Sequence, residues 1–152
     1  MVDVAAVGRT GEPFELELER GKVREFARAT FSANPAYLDD PQPVVPPTFL
    51  TTMAFWTGPD SDPWDAVRMD QSRGLHAEQE FVFHGPPPRA GTRLTARSRI
   101  DEITSKSGRR GGTLTFVTMV TEFRDESGTL VAESKLTGVE TAHLDPSKAG
   151  AA

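Results

Sequence analysis

Residues 48–56 read Thr-Phe-Leu-Thr-Thr-Met-Ala-Phe-Trp, apolar on nearly every side of a helix and broken only by threonines. A helix without a wet face has to be enclosed, and Pro47 suits its first turn, where a fixed φ and a missing N–H cost nothing. At ~1.5 Å per residue this helix is about 14 Å long, short enough for one sheet to cover. The second half of the chain supplies the strands for that sheet.

Residues 78–84 form the first of these strands, ended by a Gly-Pro-Pro-Pro run. Leu94, Ala96, Ser98 and Ile100 then alternate with Arg93, Thr95, Arg97 and Arg99, a strand with one wet face. Residues 105–112 read as a glycine-containing hairpin loop, 113–123 as a Thr/Val/Phe-rich strand, and 130–139 as the last strand after an Asp-Glu-Ser-Gly turn. Upstream, residues 14–18 alternate as a short strand. Val23, Phe26, Ala27, Thr30 and Phe31 follow at helical spacing, and five prolines mark the link that leads to residue 48. The stretch 57–74 is polar and rich in Asp, Gly and Pro, and reads as a loop.

A strand, a helix, an enclosed helix and a four-strand antiparallel meander make an α+β domain. A curved antiparallel sheet wrapped around a buried central helix is the hot-dog fold. The 152 residues fit one such domain, with its core at about residues 14–140 and loose ends on either side.

Composition narrows function by exclusion. A net charge of -5 offers no basic excess for nucleic acid. The absence of cysteine removes disulfides, thiolate nucleophiles and Cys-ligated metals together. Three histidines far apart, His76, His84 and His143, give no metal-ligand spacing, and no cofactor motif is present. With no basic, apolar leader at the N-terminus and no membrane-length apolar run, the expected location is the cytoplasm.

Residues 31–37 read Phe-Ser-Ala-Asn-Pro-Ala-Tyr. They follow Val-Arg-Glu-Phe-Ala-Arg-Ala at 23–29 and precede Val-Pro-Pro-Thr-Phe at 45–49. Farther on come Leu-His-Ala-Glu-Gln-Glu-Phe at 75–81, then His84, Pro88 and Arg-Ala-Gly at 89–91. In order and spacing these segments resemble the MaoC-like (R)-specific hydratases and dehydratases, most closely their N-terminal, type I fatty-acid-synthase-like branch. The resemblance implies hydration of a 2-enoyl thioester, or the reverse dehydration of a 3-hydroxyacyl thioester, on coenzyme A or an acyl carrier protein. That chemistry needs an acid–base pair around a water and a donor for the thioester oxygen. The family motif Asp-x-Asn-Pro-x-His supplies the pair, and here Ser32 and Tyr37 stand in its two functional places. Pro46 and Pro47 offer no N–H at the start of the central helix. The resemblance therefore implies a subunit without its own dyad, which binds the acyl chain beside a partner with intact Asp and His.

Asn34, Tyr37, Thr48, Phe49, Met53 and Trp56 are the expected substrate-binding residues. Asn34 with Pro35 also makes an ordinary turn, and Tyr37 either lines the acyl tunnel or packs with its hydroxyl satisfied. His76 and Glu78 alternate onto one strand face with Glu80. They are the alternative catalytic pair, for a self-sufficient homodimer, although polar outward faces of sheets are common. Arg93, Arg97 and Arg99, with Arg109 and Arg110, either meet phosphates or an acidic carrier or make a solvated strand face. A non-enzymatic module for a hydrophobic ligand is the remaining reading. Oligomerisation is expected in each hot-dog reading, because a single sheet leaves an edge to be paired.

Overall fold

The computed structural model describes residues 1–108 and 112–142. Five antiparallel strands form one sheet: β1 (Phe14–Glu17), β2 (Gly74–Phe83), β3 (Arg93–Ser107), β4 (Thr113–Arg124) and β5 (Leu130–Glu140). The helices α1 (Arg20–Ala29) and α2 (Pro35–Leu38) and a 3-10 helix, Phe49–Phe55, lie between β1 and β2. No helix is long and apolar enough to cross a membrane among the described residues.

The spatial order is β1-β3-β4-β5-β2, so only β3 to β5 form a meander. The expected four-strand meander is corrected here: β2 pairs with β5, not with its sequence neighbour β3. Both edges of β3 are taken, one by β4 and the other by β1, where Phe14 faces Ala96 and Leu16 faces Leu94. The proline run after His84 cannot make a tight hairpin, and the Pro88 carbonyl instead accepts the Val45 N–H at 3.0 Å. This leaves β2 at the far edge.

The inner face of the sheet carries two apolar floors with a polar row between them. Ala96, Phe123 and Ala132 align across β3, β4 and β5 in one cluster with Leu16, Leu94, Val23, Phe49 and Leu50. Ile100, Val117 and Met119 build the second cluster with Val2, Ala6, Val67 and Met69. Between them Ser98, Thr121 and Ser134 face one another in register, all buried. Ser98 and Thr121 satisfy each other at 2.8 Å, and Gln79 on β2 donates to Ser134 Oγ at 2.8 Å. Buried hydroxyls are tolerated when they are bonded in this way.

Two expectations change with this core. The first twelve residues are not loose. Gly8 and Gly11 donate to the Ile100 and Ser98 carbonyls, and Val2 and Ala6 are buried. The polar stretch before β2 is not a bare loop either, since its short 3-10 turns deliver Trp64, Val67 and Met69 to the second cluster. The central helix therefore has only the first floor to cover. Phe49 and Leu50 are buried in it, whereas Phe55 is 84% exposed and Trp56 41% exposed. The expectation of a helix enclosed all round holds for its first turn and fails for its last.

Candidate functional site

Helix α1 ends in a Schellman motif: Ser32 N–H donates to the Ala27 carbonyl at 2.8 Å and Phe31 N–H to the Arg28 carbonyl at 3.0 Å. That geometry places Phe31 at φ 57, a left-handed conformation glycine usually takes. Its side chain is 96% exposed. The turn that follows spends its polar groups on itself. Asn34 N–H donates to Ser32 Oγ at 3.3 Å, and Ala36 N–H donates to Asn34 Oδ1 at 3.0 Å, with Pro35 opening α2. Tyr37 is half-buried one turn later.

At the start of the 3-10 helix the Phe49 N–H is already given to the Pro46 carbonyl at 2.9 Å. Thr48 is exposed, and its N–H makes none of the backbone hydrogen bonds between elements among the described residues. The Leu50 N–H makes none of them either, so Thr48 and Leu50 are the donors left at this end.

The last turn of the same helix builds a groove of about 220 Å³ lined by Glu17, Lys22, Phe49, Thr52, Phe55 and Trp56. Phe26 braces Phe49 edge-on from α1, their ring centroids 5.5 Å apart. The rim charges have partners: Lys22 takes Glu25 at 2.9 Å, which raises the Lys22 pKa, and Arg93 lies 3.8 Å from Glu17. A wider concavity of about 330 Å³ runs along Glu17 to Arg20, Pro41, Gln42, Ala90 and Gly91, but it is open and lacks the aromatic wall. Of the six expected binding residues, Phe49 and Trp56 line the groove and Met53 packs against the core. Asn34, Tyr37 and Thr48 lie outside its lining. Thr52, Glu17 and Lys22 were missed, because a threonine in an apolar run and charges in a strand and a helix carry no ligand signal.

The alternative pair, His76 with Glu78, is not assembled. His76 stands opposite Gly138 and Glu78 opposite Thr137, with Ala77 an unpaired extra residue between them. Gly138 and Thr137 point to opposite faces of β5, so the bulge puts His76 on the inner face and Glu78 on the outer. Glu80 shares the outer face and meets Lys135 at 3.3 Å. Among the described residues the histidine that meets a carboxylate is His84, 2.8 Å from Glu133 on the outer face. Arg97 donates to the Gly11 carbonyl at 3.1 Å, and Arg99 pairs with Asp101 and Glu122 at 3.0 Å, so these arginines serve the fold. Arg109, Arg110 and His143 lie outside the described residues. Among the described residues no group of three or more His, Asp or Glu side chains is placed to hold a metal ion.

The carboxylates with a resolved shift all lie below their ordinary value. The Gln42 N–H, then Arg89, holds Asp40 down; Arg124 does so for Glu122, and Ser127 for Asp125. Asp70 falls furthest, to about 2, through Ser72 and Arg73. A general acid or base works best with a pKa near the working pH, and these shifts run the other way. The groove's aromatic wall suits an apolar chain, and the charges on its rim, Glu17 and Lys22, are paired with Arg93 and Glu25.

The profile of the family described as FAS1-like, dehydratase domain region, matches residues 5–134. A UPF0336 protein of Streptomyces coelicolor is 37% identical over 116 residues, 70% of this chain and 77% of the relative. Among solved structures, the HadBC complex of Mycobacterium tuberculosis, a 3R-hydroxyacyl-ACP dehydratase, matches with TM-score 0.68 and 27% identity, over 88% of this chain and 96% of that one. A MaoC-like dehydratase matches with TM-score 0.75 and 26% identity over 91% of this chain, which spans 43% of it.

Proposed function

The chain belongs to the FAS1-like dehydratase-domain family, and from that premise we propose that it is a non-catalytic, acyl-binding subunit of a heteromeric (R)-specific enoyl-thioester hydratase or 3-hydroxyacyl-thioester dehydratase. The observation that carries the proposal is the turn at Ser32. In the place of an acid and a base it has a serine and a tyrosine, and its serine and asparagine oxygens bond its own backbone. Neither an aliphatic hydroxyl nor a phenol replaces the carboxylate and imidazole of an acid–base pair.

Two further features support the reading. The groove beside Phe49, Phe55 and Trp56 is open, apolar and about 220 Å³, a fit for part of an acyl chain. Strand β2, ten residues long, has no partner strand on one side among the described residues and exposes Leu75, an edge that a second subunit would close. The HadBC match is itself a complex.

The test is to purify the tagged chain from its own host and assay hydration of crotonyl-CoA by the chain alone and by any assembly recovered with it. The expected result is turnover only in an assembly whose second hot-dog chain carries an intact Asp-x-Asn-Pro-x-His. Tyr37→Phe should then leave that turnover nearly unchanged. An isolated homodimer that turns over substrate and loses activity in His76→Ala would overturn the proposal.

A further inference from the structure

We propose that the outward face of α1, Arg20, Arg24 and Arg28 with Phe31 beyond its end, docks an acidic helix of a protein acyl carrier. The inference rests on the acyl-thioester reading above and adds the carrier to it. Residues at this spacing share one helix face, and at ~1.5 Å per residue the three arginines span about 12 Å. The ten residues of α1 hold four cations and one carboxylate in a chain whose net charge is -5.

The carboxylate does not neutralise the row, because Lys22 holds Glu25 at 2.9 Å. Among the described residues no salt bridge engages Arg20, Arg24 or Arg28, nor the scattered Arg9, Arg68 and Arg97, whereas Arg73, Arg89, Arg93, Arg99 and Arg124 each have one; on α1 alone the unpaired arginines form a row. Arg20 lends some field to Asp40, which Arg89 bonds directly. The Arg24 Nε is shut off from solvent without a hydrogen-bond partner. Like charges one turn apart repel, and the helix dipole favours only the last of the three.

Shape and strain point to the same face. Gly21, Arg24, Glu25 and Arg28 line a shallow concavity of about 290 Å³. A Cβ on Gly21 would meet nothing within 4 Å, so another backbone can approach closely there. Phe31, 96% exposed and held at φ 57, is an apolar contact that returns nothing within this subunit. Arginine with an exposed aromatic is the composition of an interface anchor. A single phosphate needs a compact cluster of donors. A row with one arginine per turn instead matches carboxylates repeated once per turn along a neighbouring helix.

The experiment measures binding of the full chain, in its native assembly, to crotonyl-loaded acyl carrier protein and, separately, to crotonyl-CoA. The proteins compared are the wild type, Arg24→Glu/Arg28→Glu, and the milder Arg24→Gln/Arg28→Gln, each checked for cooperative thermal unfolding. The expected result is carrier affinity reduced at least about tenfold by the reversal and less by the neutral pair. Crotonyl-CoA affinity should be unchanged. Wild-type carrier binding should also weaken as salt rises from about 0.01 to 1 M, since screening shortens from about 30 to 3 Å. Equal carrier affinity in folded variants would overturn the docking face and leave the acyl-binding reading intact. Loss of both ligands would assign the arginines to the small thioester's phosphates and overturn the protein partner. Wild type that binds neither would overturn both proposals.

Discussion

Replacing Phe31 by glycine should make the isolated chain more stable, although it removes a whole aromatic ring. At φ 57 a side chain with a Cβ crowds its own carbonyl, at a cost of about 1–2 kcal/mol that glycine does not incur. Against this, glycine loosens the unfolded chain by about 0.4–1 kcal/mol. The burial side adds almost nothing, because the ring is 96% exposed. The net runs from about 0 to about 1.6 kcal/mol, with a middle value of about 0.8 kcal/mol, in favour of Phe31→Gly. For a domain of this size the middle value raises the unfolding midpoint by about 2–3 °C.

The assay is thermal unfolding followed by circular dichroism at several low protein concentrations, so that self-association shows as a concentration dependence. Phe31→Ala is the control. It keeps the left-handed strain and loses the ring, and should sit within about 0.5 kcal/mol of wild type, as exposed substitutions do. A fall in midpoint for both variants would refute the reasoning, because it would mean the ring is packed within the chain. A rise for glycine together with weaker carrier binding would separate the strain from its return: a residue kept for a partner at the expense of its own fold.

Three further outcomes follow from the core and the ion pairs. Thr121→Val should cost about 1–3 kcal/mol in urea unfolding, since it strands the buried Ser98 hydroxyl 2.8 Å away. Adding Ser98→Ala should recover most of that loss, and simple additivity would show that the pair is not coupled. Gly138→Ala would set a Cβ 2.9 Å from the Trp64 ring, and should cost about 1–3 kcal/mol and shift the tryptophan fluorescence. Asp70 titrates near 2 in the fold against an ordinary 3.8, so its contribution is complete above the higher value and is lost as pH falls through the lower. Asp70→Asn should flatten the acid limb of stability between those values, and superimposable limbs would refute that assignment.

The strands were readable because alternation survives wherever one face is buried: the Leu94, Ala96, Ser98, Ile100 series lies on the inner face as its spacing required. Pairing partners were not readable. Nothing local in residues 74–83 says that β3 is already occupied on both sides, and that occupancy sends β2 to β5. The expected shared face of His76 and Glu78 was lost for a related reason. Counting by twos assigned His76 and Glu78 to one face, but the unpaired Ala77 reverses the count, and neither glycine nor proline marks the bulge. Ser32 and Tyr37 could be judged from residue identity alone, since no local geometry makes them a carboxylate or an imidazole.

The central helix shows why the groove lay beyond reach of the sequence. Phe49, Leu50, Met53, Phe55 and Trp56 look alike in a hydropathy pattern, yet the first two close the core and the last two stand outside it. What divides them is how much of the sheet is left to cover. Trp64, Val67, Met69, Val2 and Ala6 already fill the second floor, and their sequence signals are weak and scattered. Apolar residues in excess of what the sheet can bury are then presented at the groove with Thr52 and Lys22. The same hydrophobic run thus supplies both the lock on the fold and the aromatic wall of the groove, and the line between them is drawn by residues that do not belong to it.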